Sequence, residues 1–208
     1  MGNDMDIKGT VKAGYDKIAR RYLADRTLNS QDVRLLDDLI ERLPENAKVL
    51  DAGCGSGLPV VKILSRRFDV TGVDFSNTQI ELARTNVPKA TFICLDMTKL
   101  DFPENEFDAI VSYYAIIHIP REEHRPLLVN FQRMLKPGRF ALLCLGAENL
   151  VEDIDENYLG ARMYWSHFDA DTYLDMLKVI GFTILWSKIV ADETCEGAGH
   201  LFVLAQKS

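Results

Sequence analysis

Three glycines at alternate positions, Gly53, Gly55 and Gly57, follow an apolar run in VLDAGCGSGLP, and Asp51 stands just before them. Backbone amides in such a loop approach a ligand closely because no side chain intervenes. Two more aspartates, Asp74 and Asp96, close the later apolar runs FDVTGVD and ATFICLD. After a fourth run, FDAIVSYY, come Ser112, Tyr113 and Tyr114, then His118 in AIIHIP. Carboxylates accept from hydroxyl and amino groups or meet a cation, and an imidazole with an ordinary pKa takes a proton near neutrality. Cys54, Cys94, Cys144 and Cys195 are scattered, with no CxxC pair and no histidine at metal-ligand spacing. They read as reduced thiols, and no metal site is expected.

The elements that must position these residues follow from periodicity. Val11, Tyr15, Ile18 and Tyr22 recur at helical spacing and predict a helix over about residues 9–24. A second helix is predicted from about Ser30 to Arg42, ending before Pro44. From residue 47 short apolar runs alternate with helical stretches: KVLDAG, FDVTGVD, ATFICLD, FDAIVSYY and RFALLCLG as strands, and PVVKILSRR, NTQIELARTN and EEHRPLLVNFQRML as helices. Pro59 suits a first helical turn. This rhythm predicts an α/β fold with a doubly wound, mostly parallel sheet. GFTILWSKIV and GHLFVLAQK, separated by a short polar stretch, allow an antiparallel terminal hairpin at one edge. Asp51, Asp74 and Asp96 each close a strand, so all three face the crevice at the carboxyl ends of the strands.

The loop itself narrows the ligand. Its spacing is G-x-G-x-G with Leu58 following, not the G-x-G-x-x-G of a dinucleotide site, and no G-K-[ST] follows. Asp51 would oppose a pyrophosphate and welcome an ammonium or sulfonium group. Asp74 suits the two hydroxyls of a ribose, and Asp96 an adenine amino group. Phe75 and Met97, each following one of these aspartates, offer an aromatic face and a thioether to a purine. Cys54 contributes backbone. An adenine riboside with a cationic tail and no phosphates is the inferred ligand, and S-adenosylmethionine fits it.

VLDAGCGSG, VTGVDFS, FICLDMTKLDFPENEFDAIVSYYAIIHIP and MLKPGRFALL together resemble the class I S-adenosylmethionine-dependent methyltransferases, nearest to the small-molecule branch with the ubiquinone and menaquinone biosynthesis enzymes. The resemblance covers roughly residues 10–145. It implies a seven-stranded Rossmann-like sheet with a reversed last strand. It also implies that Asp51 and the glycine loop hold the methionine part, Asp74 the ribose, and Asp96 with Met97 the adenine. Ser112 would offer its carbonyl to the amino-acid end. GYDKIARRY resembles the family's lid helix, placing Tyr15 and Tyr22 over the cofactor. The expected organisation is one domain over residues 1–208: lid helices in 1–45, cofactor core in 46–145, a substrate cap in 146–170, and a last helix with the terminal strands in 171–208.

Methyl transfer needs an acceptor held in line, and an oxygen or nitrogen acceptor must lose a proton. His118 is the candidate base, with loop fixing as its alternative role, and Tyr113 and Tyr114 are candidates for the acceptor pocket, Tyr114 also for catalysis. His167, Tyr164 and Trp165 read as structural parts of the cap, and His124 and His200 as surface or edge-strand residues. SYYA lacks the prolines of amino-directed DNA enzymes, no Pro-Cys dipeptide exists for cytosine C5 chemistry, and Ser112 stands where catechol-type enzymes carry a metal-binding aspartate. Metal-independent transfer to a small molecule, with S-adenosylhomocysteine as product, is the expected function. A non-catalytic S-adenosylmethionine-binding sensor or partner subunit and an NAD-dependent dehydrogenase are the alternatives. The chain has 208 residues, 47% hydrophobic and 26% charged, with a net charge of -7. That balance argues against nucleic acid as a partner. No apolar run reaches the roughly 18 residues of a membrane span, and MGNDMDIKGT is no signal peptide, so a cytoplasmic location is expected.

Overall fold

The computed structural model describes residues 6–24, 30–191 and 199–208. Cys195, the first residues of MGNDMDIKGT and the polar stretch between the terminal strands lie outside the described residues. In chain order the elements are α1 (Ile7–Ala24), α2 (Gln31–Arg34), α3 (Leu36–Arg42), β1 (Lys48–Ala52), α4 (Val60–Leu64), β2 (Asp69–Asp74), α5 (Asn77–Asn86), β3 (Thr91–Cys94), β4 (Phe107–Ser112), α6 (His124–Met134), β5 (Leu135–Gly146), β6 (Leu150–Tyr158), β7 (Ala161–His167), α7 (Ala170–Ile180), β8 (Phe182–Ala191) and β9 (Gly199–Lys207).

Seven strands form one sheet in the order β3-β2-β1-β4-β5-β9-β8. The first five run parallel, and β9 is antiparallel to both β5 and β8. Burial on both faces explains the continuous apolar runs. In β5, Phe140, Leu142 and Cys144 join one core with α3, α4 and α5, while Ala141, Leu143 and Leu145 join another with α6 and α7. β9 repeats this period of two, with Phe202 and Leu204 on the first face and Leu201, Val203 and Ala205 on the second.

The predicted helix over residues 30–42 is divided at Leu35. The Asp32 carbonyl accepts from the Leu35 amide and from the Tyr113 hydroxyl, which turns the chain before α3 begins. Two further expectations are corrected. His124 is fully buried, because it opens the apolar stripe of α6 that continues through Leu127, Leu128 and Phe131. Its Nδ1 accepts from the Tyr173 hydroxyl at 2.6 Å and its Nε2 donates to the Ile119 carbonyl at 2.8 Å. His200 is not on an edge strand: β9 is paired on both sides, with His200 opposite Gly146 and Val190.

The segment 146–170 contains a separate two-stranded sheet, β6 with β7. Leu159 (φ 50°) and Gly160 (φ 94°) form the turn, both left-handed as a tight hairpin demands. α1 lies on this hairpin through Val11 and Ile18 against Ala161, Met163 and Tyr164.

Candidate active site

A cavity enclosing about 940 Å³, part of it open to solvent, sits at the carboxyl ends of β1, β2 and β4 beneath α1. Thirteen of the fifteen predicted site residues line it: Tyr15, Tyr22, Asp51, Gly53, Cys54, Gly55, Asp74, Phe75, Asp96, Met97, Tyr113, Tyr114 and His118. Gly57 and Ser112 do not line it. Gly57 has φ 77°, a left-handed conformation that favours glycine, while a Cβ there would meet Ala83 and Val87 only at ordinary contact distance. The Ser112 hydroxyl donates to the Ala52 carbonyl at 2.7 Å and ties the ends of β4 and β1 together.

The loop is shaped for close approach at Gly53. Its φ is 85°, and a Cβ would fall 2.1 Å from that of Ala115 and 3.0 Å from the Met97 methyl. The Gly53 and Cys54 amides both donate to the Val73 carbonyl, at 2.7 and 2.9 Å, which anchors the loop to β2. Cys54 is buried, and burial pushes its thiol well up, so it is no nucleophile.

The carboxyls differ in their surroundings. Asp51 is 1% exposed, and its Oδ1 has no hydrogen-bond partner. Burial, with the charge of Asp74 second, pushes its pKa up to about 8. Asp74 accepts the Gly55 amide on Oδ2 and the Ser76 amide on Oδ1, both at 2.9 Å. Burial raises it to about 6 against the pull of those two amides. Each of its oxygens keeps a lone pair free of these bonds. Asp96 caps a single turn at Met97–Lys99, where Oδ1 accepts from the Thr98 amide and hydroxyl, both at 2.9 Å, and Oδ2 from Lys8 at 3.1 Å. Burial pushes its carboxyl up, but these donors outweigh it and hold the pKa below the usual range.

His118 is held at both ring nitrogens. Nδ1 lies 2.7 Å from the Tyr164 carbonyl, an acceptor only, so the network assigns the proton to Nδ1. Nε2, 2.8 Å from the Tyr15 hydroxyl, is then the acceptor of that phenolic proton. Burial lowers its pKa to about 4 against the pull of the Tyr164 carbonyl. Tyr22 meets Tyr15 edge to face at 5.5 Å, and Trp165 tilts against His118 at 5.4 Å. Tyr114 holds the left-handed region (φ 53°), which a non-glycine residue seldom adopts. The Tyr113 hydroxyl is turned away, onto Asp32. His167 donates from Nδ1 to the Glu148 carbonyl at 2.6 Å.

Three polar residues of the site escape sequence reasoning. Gln79, on α5, lines the cavity 2% exposed with its Oε1 unpartnered. Asp16, on α1, accepts from the Ser76 hydroxyl at 2.5 Å and the Thr78 amide at 3.2 Å, at the start of α5. Lys8 reaches the cavity rim. Of these only Lys8 carries a sequence signal, a cation in the first turn of a helix, where the macrodipole disfavours it. Among the described residues no group of three or more His, Cys, Asp or Glu is arranged to hold a metal ion, and no helix is long and apolar enough to cross a membrane.

Residues 49–138 match the family model described as a methyltransferase domain. The chain is 30% identical over 166 residues to the phosphoethanolamine N-methyltransferase of Plasmodium falciparum, covering 76% of this chain and 61% of that protein. It is 30% identical over 141 residues to the O-methyltransferase rstn1 of Aspergillus nomiae, covering 64% and 60%. The chain thus spans about 60% of the length of these curated relatives. Among solved structures, the 1,6-didemethyltoxoflavin-N1-methyltransferase of Burkholderia thailandensis superposes with a TM-score of 0.75 at 19% identity, covering 100% of this chain and 92% of that one. A methyltransferase of Methanosarcina mazei gives 0.71 at 22%, covering 83% and 96%. The reversed strand set into a parallel sheet, the glycine loop after β1 and the aspartates ending β1 and β2 thus give this chain the fold of the S-adenosylmethionine-dependent methyltransferases, with the matched methyltransferase domain at its centre.

Proposed function

We propose that this chain transfers a methyl group from S-adenosylmethionine to a small-molecule acceptor and releases S-adenosylhomocysteine. The observation that carries the reading is Asp51, a buried carboxyl with an unpartnered oxygen in a cavity floored by glycines. A cationic ligand resolves that cost, because an opposite charge favours the ionised carboxylate where burial alone disfavours it. Asp74 offers its remaining lone pairs to the ribose hydroxyls. Phe75, Leu95 and Met97 form the walls for adenine, with Asp96 at its amino edge. The relatives support the small-molecule class: their names specify a phosphoethanolamine acceptor in one and O-methylation in another, and the Burkholderia structure holds its small acceptor with S-adenosylhomocysteine.

When bound, S-adenosylmethionine supplies a methyl group already activated by its sulfonium. The chain's own work is then binding, orientation and exclusion of water. His118, neutral at physiological pH, accepts a hydrogen bond from the Tyr15 hydroxyl and fixes where that oxygen sits in the cavity wall. We assign that oxygen to the incoming O–H or N–H of the acceptor, whose proton passes to it as the Tyr15 proton moves on to His118 Nε2, with Tyr114 as a wall of the acceptor end. The low basicity of His118 also favours a second reading, a binding protein without turnover.

A labelled-methyl transfer screen over a metabolite extract separates the two, paired with calorimetric binding of S-adenosylmethionine. The proposal expects saturable binding and label in a small molecule, with Asp51→Asn weakening binding roughly tenfold or more. Binding without transfer selects the sensor. Absence of binding sinks both readings.

A further inference from the structure

Lys8 stands in the first turn of α1, whose start is fixed by Asp6: its Oδ1 accepts from the Gly9 amide at 2.9 Å. A cation at this end of a helix faces the positive pole of the macrodipole, so local helix energetics give no reason for it. Its partners do. The ammonium donates to Asp96 Oδ2 at 3.1 Å, to the Thr98 hydroxyl at 2.8 Å and to Glu123 Oε2 at 2.5 Å. These groups are 88, 90 and 115 residues away along the chain. One side chain therefore joins α1 to the turn after β3 and to the segment preceding α6. All three ammonium protons are used, and Lys8 is itself part of the cavity wall.

We infer that Lys8 is a positioning residue that latches α1 over the adenine end of the cavity and holds Asp96 for the cofactor's base; this rests on the adenosyl reading of the cavity. Burial opposes the ammonium charge, but Glu123 and Asp96 outweigh it and raise its pKa above the ordinary value. Asp96 is doubly fixed as a result, by Thr98 on one oxygen and Lys8 on the other. α1 also contributes Tyr15 and Tyr22 to the cavity wall. Passage of a ligand past that wall requires α1 to lift, and lifting it breaks the Lys8 contacts. Lys8 then governs how fast the cofactor leaves more than how the acceptor reacts.

The test is the dissociation rate of S-adenosylhomocysteine from the full chain, measured by stopped-flow competition. Lys8→Met keeps the alkyl stem and removes the charge, and should speed release on the order of tenfold. Lys8→Arg should restore most of the wild-type rate, which a role in packing alone would not predict. Glu123→Gln lies outside the cavity wall and should move the rate in the same direction. Combined with Lys8→Met it should add nothing, since both remove one contact set. Release unchanged in Lys8→Met, or fully additive effects, would overturn the latch. If Lys8→Met does not fold, Glu123→Gln decides: a wild-type release rate there overturns it. A wild-type chain that binds no S-adenosylhomocysteine overturns the adenosyl reading itself, a result distinct from binding with unaltered variant kinetics.

Discussion

Asp51 and Asp74 end neighbouring strands, and each is raised by burial, to about 8 and about 6. A carboxyl raised on folding stabilises the fold fully below the ordinary carboxylate range and loses that contribution as pH rises through its folded pKa. His118 and His124, both lowered to about 4 by burial, act in the opposite sense: their contribution is present above about pH 6.5 and lost as pH falls through 4. The two pairs oppose each other at acid pH. Between pH 6.5 and 8 only Asp51 among the four is still changing. Denaturant unfolding of the ligand-free chain should therefore show stability falling over that window by up to about 1.4 kcal/mol per pH unit. Asp51→Asn should flatten the slope, and a variant that keeps it would assign the titration elsewhere. By the same linkage, a cationic ligand should bind with release of a proton near neutrality, read from calorimetry in buffers of different ionisation enthalpy.

At the scale of elements, the site depends on α1 seated on the β6–β7 hairpin. Gly14 makes this seat possible, since a Cβ there would lie 2.9 Å from the Arg162 carbonyl oxygen and 3.0 Å from the Met163 methyl. Gly14→Val should lift the helix. Hydrogen exchange would show α1 amides losing protection while β1, β4 and β5 keep theirs, and S-adenosylhomocysteine binding should weaken by roughly tenfold. Equal loss of protection in the sheet would mean that the seat supports the whole fold. The helix itself was legible, because Val11, Tyr15, Ile18 and Tyr22 mark its buried stripe. So were Asp51 and Asp74, because apolar runs ending in a charge mark strand ends, whereas Asp96 lies two residues beyond β3 and caps the turn that follows. The hairpin beneath α1 was not: Glu152, Asp153, Asp155 and Glu156 give β6 an exposed, acidic sequence with little alternation. Asp16 and Gln79 were illegible for another reason, and Lys8 showed only as a cation set against the helix dipole. Their roles depend on partners or cavity walls far away in sequence, which local spacing does not encode.

Across the whole molecule, two cores are joined through the sheet, and β9 feeds both. Phe202 is fully buried and meets Tyr113 at 5.2 Å and Tyr114 at 5.8 Å, linking the central strands to the cavity wall. Phe202→Ala should cost about 3–5 kcal/mol, with a lower denaturation midpoint and an unchanged dependence on denaturant. A loss below about 1 kcal/mol would show that this face repacks. The placement of β9 also bears on synthesis. β8 leaves the ribosome before β9 yet lies outside it in the sheet, and among the described strands β8 pairs with β9 alone. Until β9 emerges, β5 carries an open edge and β8 has no neighbour to join. Unpaired edges recruit other chains. The order of translation and the order of the sheet thus disagree here, and nascent copies are most prone to capture one another in the interval before β9 inserts.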